Sequence, residues 1–355
     1  MKRALLIAGP TASGKSALAI ALAQKYNAMI INADSMQVYG DLRVLTARPS
    51  EAEERLARHE LFGTIDGAVN FSAGRWLAAV TEILRDEPPL PLAGEGRGEG
   101  LGRKLTAEEA PHPSVSPPPR GEREVRRGSA SGRRDSASPV IFVGGTGLYF
   151  RALTQGLSAI PHVPEAVRAK TRAEAEAFPT ETLHEQLAAL DPLTAAHLRR
   201  SDRQRILRAL EVFAATGAPL ASFHGARDAP LLQPGTWTGI FLAPERAALN
   251  AAIDRRFAAM LEAGALDEVA ALAARKLDPA LPVMRAHGVP HLIGYFNAAL
   301  SLGAAVERAK GDTRRYAKRQ FTWARHQMPE FAWAAPTEAL EAGQRALEGF
   351  HPASA

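Results

Sequence analysis

Residues 4–8 are apolar without interruption, as in a strand buried on both faces, and Gly9 and Pro10 end the run. A glycine-rich turn follows, then a helical pattern through Gln24. A second short apolar run, 28–31, gives way to Asn32, Ala33, Asp34 and Ser35. Trp76, Val80, Ile83 and Leu84 share one helical face and predict a helix over 76–85. Residues 140–143 form another buried strand, closed by Gly144 and Gly145. Strands alternating with helices predict an α/β fold around a parallel sheet.

Beyond about Val163 the pattern is helical, with stops at Pro179, Asp191–Pro192 and Gly217–Pro219. An apolar patch at 238–242 returns to the sheet, and helices are predicted over 246–264, 266–275 and 308–328. The alanine-rich tail from Ala334 reads as a fraying last helix.

Composition changes this picture at one place. Eight of the 25 prolines and eight of the 29 glycines fall within 88–138, where no aromatic residue occurs. That stretch lacks the apolar area to offset the entropy of ordering, so it reads as a disordered low-complexity loop. It stands between a helix and a strand, a junction normally about 2–6 residues long. The remainder, with hydrophobic residues at 46% of the whole chain, is ordinary globular protein. Absence of cysteine excludes disulfides and thiolate chemistry. The apolar segment at the N-terminus is too short for a signal peptide or membrane span, so a soluble, cytoplasmic protein is expected. A net charge of +5 permits a polyanionic partner without requiring one.

The chemistry-bearing residues gather at the predicted strand ends. Gly9, Pro10, Thr11, Ala12, Ser13, Gly14, Lys15 and Ser16 satisfy the phosphate-loop pattern, with a strand before and a helix after. Backbone N–H groups would wrap a phosphate, Lys15 would supply a point charge and Ser16 would hold Mg²⁺. Asp34 follows the second strand and shares the crevice at the carboxyl end of the sheet. It is read as a general base, an indirect Mg²⁺ ligand or a helix cap. Gln37 and Tyr39 could meet a base, and Thr146 in the glycine turn 144–147 would face the same crevice. Ser201 caps a helix on which Gln204, Arg205 and Arg208 lie away from Ile206, Leu210 and Phe213. In 313–325, Arg314, Arg315, Lys318 and Arg325 share one arc while Tyr316, Gln320 and Trp323 lie opposite. Two basic faces beside a phosphate loop point to nucleic acid or to plain solvation. The histidines show no metal-ligand spacing.

Taken in order, the motifs at 9–16, 34–39, 46–49, 144–149, 202–212 and 313–325 resemble those of the tRNA dimethylallyltransferase family, also called tRNA isopentenyltransferases. The resemblance runs from residue 3 to about 330, apart from 88–138. It implies a phosphate-loop NTPase-like core (1–160 plus 236–330), a helical insertion domain (161–235) embracing the tRNA anticodon stem, and a tail (331–355). It further implies transfer of a dimethylallyl group from dimethylallyl diphosphate, with Mg²⁺, to N6 of the adenosine 3′ of the anticodon. By that resemblance Asp34 is the general base, residues 9–16 and Arg256 hold the donor diphosphate, and Ser16 meets the metal. Asp34, Ser35, Met36, Gln37, Thr146, Arg168, Gln204, Arg205, Ile206, Leu207 and Arg208 match tRNA contacts, in a monomer. The chain departs from the family pattern at His59, where a doubled histidine is usual, at Arg48 for lysine, and at Val289 for tyrosine. A phosphate-loop nucleotide or small-molecule kinase is the alternative, and an RNA-binding protein with a vestigial loop a third reading.

Overall fold

The computed structural model of the protein describes residues 3–85, 138–223, 225 and 227–349. The expected disordered loop at 88–138 lies outside the described residues except for Ser138, as do residues 350–355 of the tail.

Six strands form one parallel sheet: β1 (Ala4–Ala8), β2 (Met29–Asn32), β3 (His59–Glu60), β4 (Val140–Gly144), β5 (Trp237–Leu242) and β6 (Ala332–Ala334), in the order β3-β2-β4-β1-β5-β6. Ile7 stands level with Val143 on one side and Ile240 on the other. Strand alternation sorts the apolar residues onto two faces. Leu5, Ile7, Ile30, Ile141 and Ile240 enter one cluster, while Leu6, Ile31, Phe142 and Phe241 enter the other. Burial on both faces is why these strands read as continuous apolar runs.

The helices before β5 are α1 (Lys15–Tyr26), α2 (Glu51–Glu54), α3 (Ala73–Arg85), α4 (Gly147–Gln155), α5 (Glu165–Glu176), α6 (Thr180–Leu190), α7 (Pro192–His197) and α8 (Arg203–Thr216). Those after it are α9 (Arg246–Glu262), α10 (Ala265–Ala274), α11 (Val289–Phe296), α12 (Leu302–Gln327) and α13 (Ala339–Glu348). Residues of α5–α8 enclose an apolar cluster of their own, with Val163, Leu183, Leu187, Ile206 and Val212 buried in it. Helix α12 starts six residues before the predicted start at 308. Ala305 and Ala309, too small to register as an apolar stripe, are its buried positions there.

The expectation that the core ends at 330 is corrected. Strand β6 pairs with β5, and α13 packs on α1. Gly343 makes this possible, because a Cβ there would lie 2.5 Å from Leu22 Cδ1. Tyr26 donates a 2.8 Å hydrogen bond to Glu348 at the far end of the helix. The last helix is thus docked along its length, although alanine and glycine supply much of its buried face.

Candidate active site

The phosphate loop runs from the end of β1 to the N-terminus of α1. Gly14 caps α1 in the left-handed region, at φ 88°, which the missing Cβ makes inexpensive. No side chain caps this helix, so its first N–H groups and its positive dipole end face the cleft. Lys15 Nζ donates to the Pro10 carbonyl at 2.9 Å, folding the side chain over the loop. Burial lowers its pKa to about 8, and neighbouring Arg256 pushes in the same direction while Asp34 opposes. Arg256, on α9, is likewise held below the usual arginine range by burial, again opposed by Asp34. Two half-buried cations against one carboxylate leave the site in need of an anion. The Ser13 hydroxyl is buried in the same loop without a protein partner. A cleft lined by Ser13, Gly14, Lys15, Ser16, Arg43, Arg48 and Arg256 lies over it.

Asp34 stands two residues beyond the paired end of β2, on a turn that buried Asn32 shapes. Asn32 Oδ1 accepts from the Asp34 N–H at 2.8 Å, and its amide donates to the carbonyls of Asp34 and Leu61, each at 3.0 Å. Trp76 Nε1 donates to the Asn32 carbonyl at 2.8 Å, and its ring stacks on Tyr149 with centroids 4.2 Å apart. Asp34 Oδ1 accepts from the Met36 N–H at 2.9 Å. The Thr146 hydroxyl accepts from the Ser35 N–H at 2.9 Å, tying this turn to the glycine turn after β4. That second turn comes very close: a Cβ at Gly144 would sit 2.0 Å from the Ala33 carbonyl oxygen. One at Gly145 would sit 3.3 Å from Asp34 Oδ2, so glycine leaves the carboxylate accessible. Gln320 bridges the two loops. Its amide donates to the Gly145 carbonyl at 2.8 Å, and its Oε1 accepts from the Thr11 N–H at 3.3 Å.

Two cavities meet at Tyr316. One, of about 180 Å³, opens from Thr11 and Asp34 onto apolar walls that include Leu45, Phe257 and Met260. The other, of about 250 Å³, is lined by Gly145, Thr146, Leu148, Arg319, Gln320 and Trp323. Tyr316 and Tyr149 are both pushed well above the ordinary tyrosine range, chiefly by burial and then by Asp34, so both stay neutral phenols. His287 packs against Tyr316 with ring centroids 4.6 Å apart, and burial with Arg319 lowers its pKa.

The structure therefore brings together residues 9–16, Asp34, Ser35, Met36, Thr146 and Arg256. Other residues expected to contact substrate are engaged within the protein. Gln37 gives both amide hydrogens to the protein itself, at 2.9 Å to each of the Thr46 and Ala47 carbonyls. Tyr39 is fully buried, with its hydroxyl donating to Val69, and cannot stack on a base. Ile206 is fully buried in the helical cluster and its side chain is not placed for an outward contact, while Leu207 is half-buried against that cluster.

Gln204 and Arg205 are exposed on α8. Arg168, Arg172 and Arg208 converge on Glu211, which is 2% exposed, at 3.7, 2.7 and 3.9 Å. Burial holds Arg208 below the usual arginine range, against the pull of Glu211. On α12, Arg314, Arg315, Lys318 and Arg325 line a groove of about 640 Å³ together with Arg246, away from the side that carries Tyr316, Gln320 and Trp323. Asn32 and Gln320 were not singled out as site residues from the sequence. The available signals were a polar residue closing an apolar strand, and an uncharged residue in step with Tyr316 and Trp323 on a basic helix.

Comparison with known proteins identifies the family. The IPP transferase family model matches residues 37–90 and 127–327, and an isopentenyl transferase model matches 2–62. The break at 91–126 falls inside the compositional outlier. A tRNA dimethylallyltransferase from Methylocella silvestris is 55% identical over 336 residues, covering 95% of this chain and 96% of its own. One from Beijerinckia indica subsp. indica is 53% identical over the same shares. The solved tRNA isopentenylpyrophosphate transferase of Bacillus halodurans superposes with a TM-score of 0.58 at 26% identity, covering 98% of each chain. A eukaryotic dimethylallyltransferase acting on tRNA shares the fold, with a TM-score of 0.71 at 23% identity over 98% of this chain and 78% of that one. This chain belongs to the IPP transferase family, the family of the tRNA dimethylallyltransferases.

Proposed function

We propose that the protein transfers a dimethylallyl group from dimethylallyl diphosphate to N6 of the adenosine 3′ of the tRNA anticodon, position 37. The observation that carries this reading is the continuity of three features. A phosphate loop with two half-buried cations, the Asp34 carboxylate and a small apolar cavity all border one crevice. A kinase reading leaves the exposed Gln204 and Arg205 face and the arginines around Glu211 without a role.

The donor's diphosphate lies against the loop N–H groups, Lys15, Ser13 and Arg256, with its hydrocarbon between Leu45, Phe257 and Met260. The adenine enters from the Thr146–Gln320 side, having left its stack to reach a buried donor. The amine nitrogen forms the new bond to C1 as the C1–O bond breaks. The bonding electrons leave with the diphosphate, where loop N–H groups and the two cations stabilise the growing charge. The N6 proton passes to the Asp34 carboxylate, which the Met36 N–H and the Asn32 turn hold in place.

The donor set fits Mg²⁺. Ser16 in the first turn of α1 offers a hydroxyl, and no cluster of three or more His, Cys, Asp or Glu exists among the described residues. Mg²⁺ commonly takes few protein ligands and completes its shell with phosphate oxygens and water. When bound, it neutralises charge on the diphosphate. Arg205, Gln204 and the surplus positive charge around Glu211 provide a phosphate-binding face for the anticodon stem. All of these residues come from one chain, so a monomer suffices. No helix among the described residues is long and apolar enough to cross a membrane. With tRNA as the substrate, the cytoplasm is the proposed location.

Incubation with labelled dimethylallyl diphosphate, Mg²⁺ and unmodified tRNA tests the reading. Label should appear on adenosine 37. Absence of transfer to tRNAs carrying that adenosine, alongside robust ATP use, would return the kinase.

A further inference from the structure

Residues 43–48 form a strap across both halves of the donor site. Leu45 and Thr46 line the apolar cavity, while Arg43, Val44, Ala47 and Arg48 line the phosphate cleft. The strap has little regular structure of its own: its internal bonds are two turns, Ala47 N–H to Val44 and Arg48 N–H to Arg43, both 2.9 Å. Its position is set from outside. Beneath it, Gln37 donates to two of its carbonyls, and Arg256 donates to the Thr46 carbonyl at 3.3 Å.

The stronger restraint comes from the first turn of α10, more than two hundred residues away in sequence. The Glu268 carboxylate accepts from three consecutive backbone N–H groups. Oε1 takes Arg43 and, at 2.9 Å, Val44, and Oε2 takes Leu45 at 2.8 Å. Charge-assisted bonds of this kind are about twice as strong as neutral ones. Consecutive N–H groups converging on one anion also fix backbone direction as well as distance. At the other end of α10, Arg275 pairs with Asp41 and, at 2.7 Å, with Asp66, so the helix grips both sides of the strap's N-terminal end.

We infer that Glu268 is a positioning residue for donor binding, holding the 43–48 strap against the diphosphate and the hydrocarbon without touching either. This rests on the donor reading above. The carboxylate is required, not only its bulk: a glutamine would set an NH₂ group against backbone N–H donors, whereas an aspartate keeps the charge on a shorter arm.

Wild type, E268Q and E268D are compared by steady-state kinetics and by hydrogen exchange of the peptide spanning 43–48. E268Q should raise KM for dimethylallyl diphosphate about tenfold, the worth of one charge-assisted bond, with kcat and KM for tRNA nearly unchanged. E268D should fall in between. Exchange at 43–48 should quicken in E268Q while peptides from β1 and β4 stay protected. An unchanged donor KM, a parallel rise in KM for tRNA, or an aspartate as damaging as glutamine would overturn the inference. If E268Q does not fold, wild type against E268D decides by the same readouts. The two readings fail separately: a wild-type protein that ignores dimethylallyl diphosphate refutes the donor reading, and unaltered strap exchange in E268Q refutes the clamp.

Discussion

Lys15 makes donor binding sensitive to alkaline pH, and the structure says where. With its pKa lowered to about 8 by burial, the ammonium is charged below that pH and neutral above it. The protonated fraction therefore falls from about 0.9 at pH 7 to about 0.1 at pH 9. If only the charged form holds the diphosphate, apparent donor affinity drops roughly tenfold across those two units. The diphosphate itself, like other phosphates, loses its last proton with a pKa of about 6, so it is about nine-tenths deprotonated at pH 7 and adds little to the slope above that. Tyr149 and Tyr316, both raised, stay neutral throughout, and His287, lowered, is already neutral. Binding also returns the proton: a bound polyanion restores the ordinary lysine pKa, so close to one proton, about 0.9, is taken up per donor at pH 9 and about 0.1 at pH 7. Calorimetric titration of dimethylallyl diphosphate in two buffers of different ionisation enthalpy reads both quantities. Lys15→Arg, charged at every pH, should bind less tightly but with a flat profile. Donor affinity independent of pH between 7 and 9, or no proton uptake at pH 9, would refute the reasoning.

Asp34→Asn keeps the turn's shape but removes the base, so turnover should fall on the order of 10²–10⁴-fold while tRNA affinity holds; comparable losses in both would make Asp34 structural. Gly144→Ala drives a Cβ to 2.0 Å from the Ala33 carbonyl oxygen between two central strands. A cost of about 2–3 kcal/mol is expected, read as a fall in Tm of several degrees. Gln320→Leu leaves the Gly145 carbonyl without its 2.8 Å partner and uncouples the two glycine turns. It should cost about 1–3 kcal/mol in a denaturation experiment, with kcat reduced as well. Deleting 88–137 should leave turnover and Tm close to wild type; loss of the folded protein would show that the stretch belongs to the core.

Much of this fold is legible from periodicity, and the exceptions share a cause. Strands β1, β2, β4 and β5 are apolar runs because both faces are covered, and each was placed to within a residue or so. Strands β3 and β6 are not legible in the same way: they are two and three residues long and exist only through pairing with an existing edge, β3 with no apolar run and β6 inside a run of five that merges with the alanine-rich tail. The docked last helix was read as fraying because alanine and glycine carry its contact. Small residues permit close approach without announcing themselves in hydropathy.

The site divides along the same line. Groups that act through their own chemistry, such as Lys15 and Asp34, stand in motifs whose spacing shows what they do. Groups that act by holding a backbone do not, because the partner is a carbonyl or N–H that every residue possesses. Asn32, Gln320 and Glu268 each serve main-chain atoms of a loop, and nothing in those loops' side chains points back to them. Gln37 shows the converse: it lies within a functional motif, yet both its amide hydrogens go to the strap. A motif thus marks where a site is without assigning each member to the substrate. The residues that set its geometry are found by asking which buried side chains satisfy the backbone of the loops that carry the chemistry.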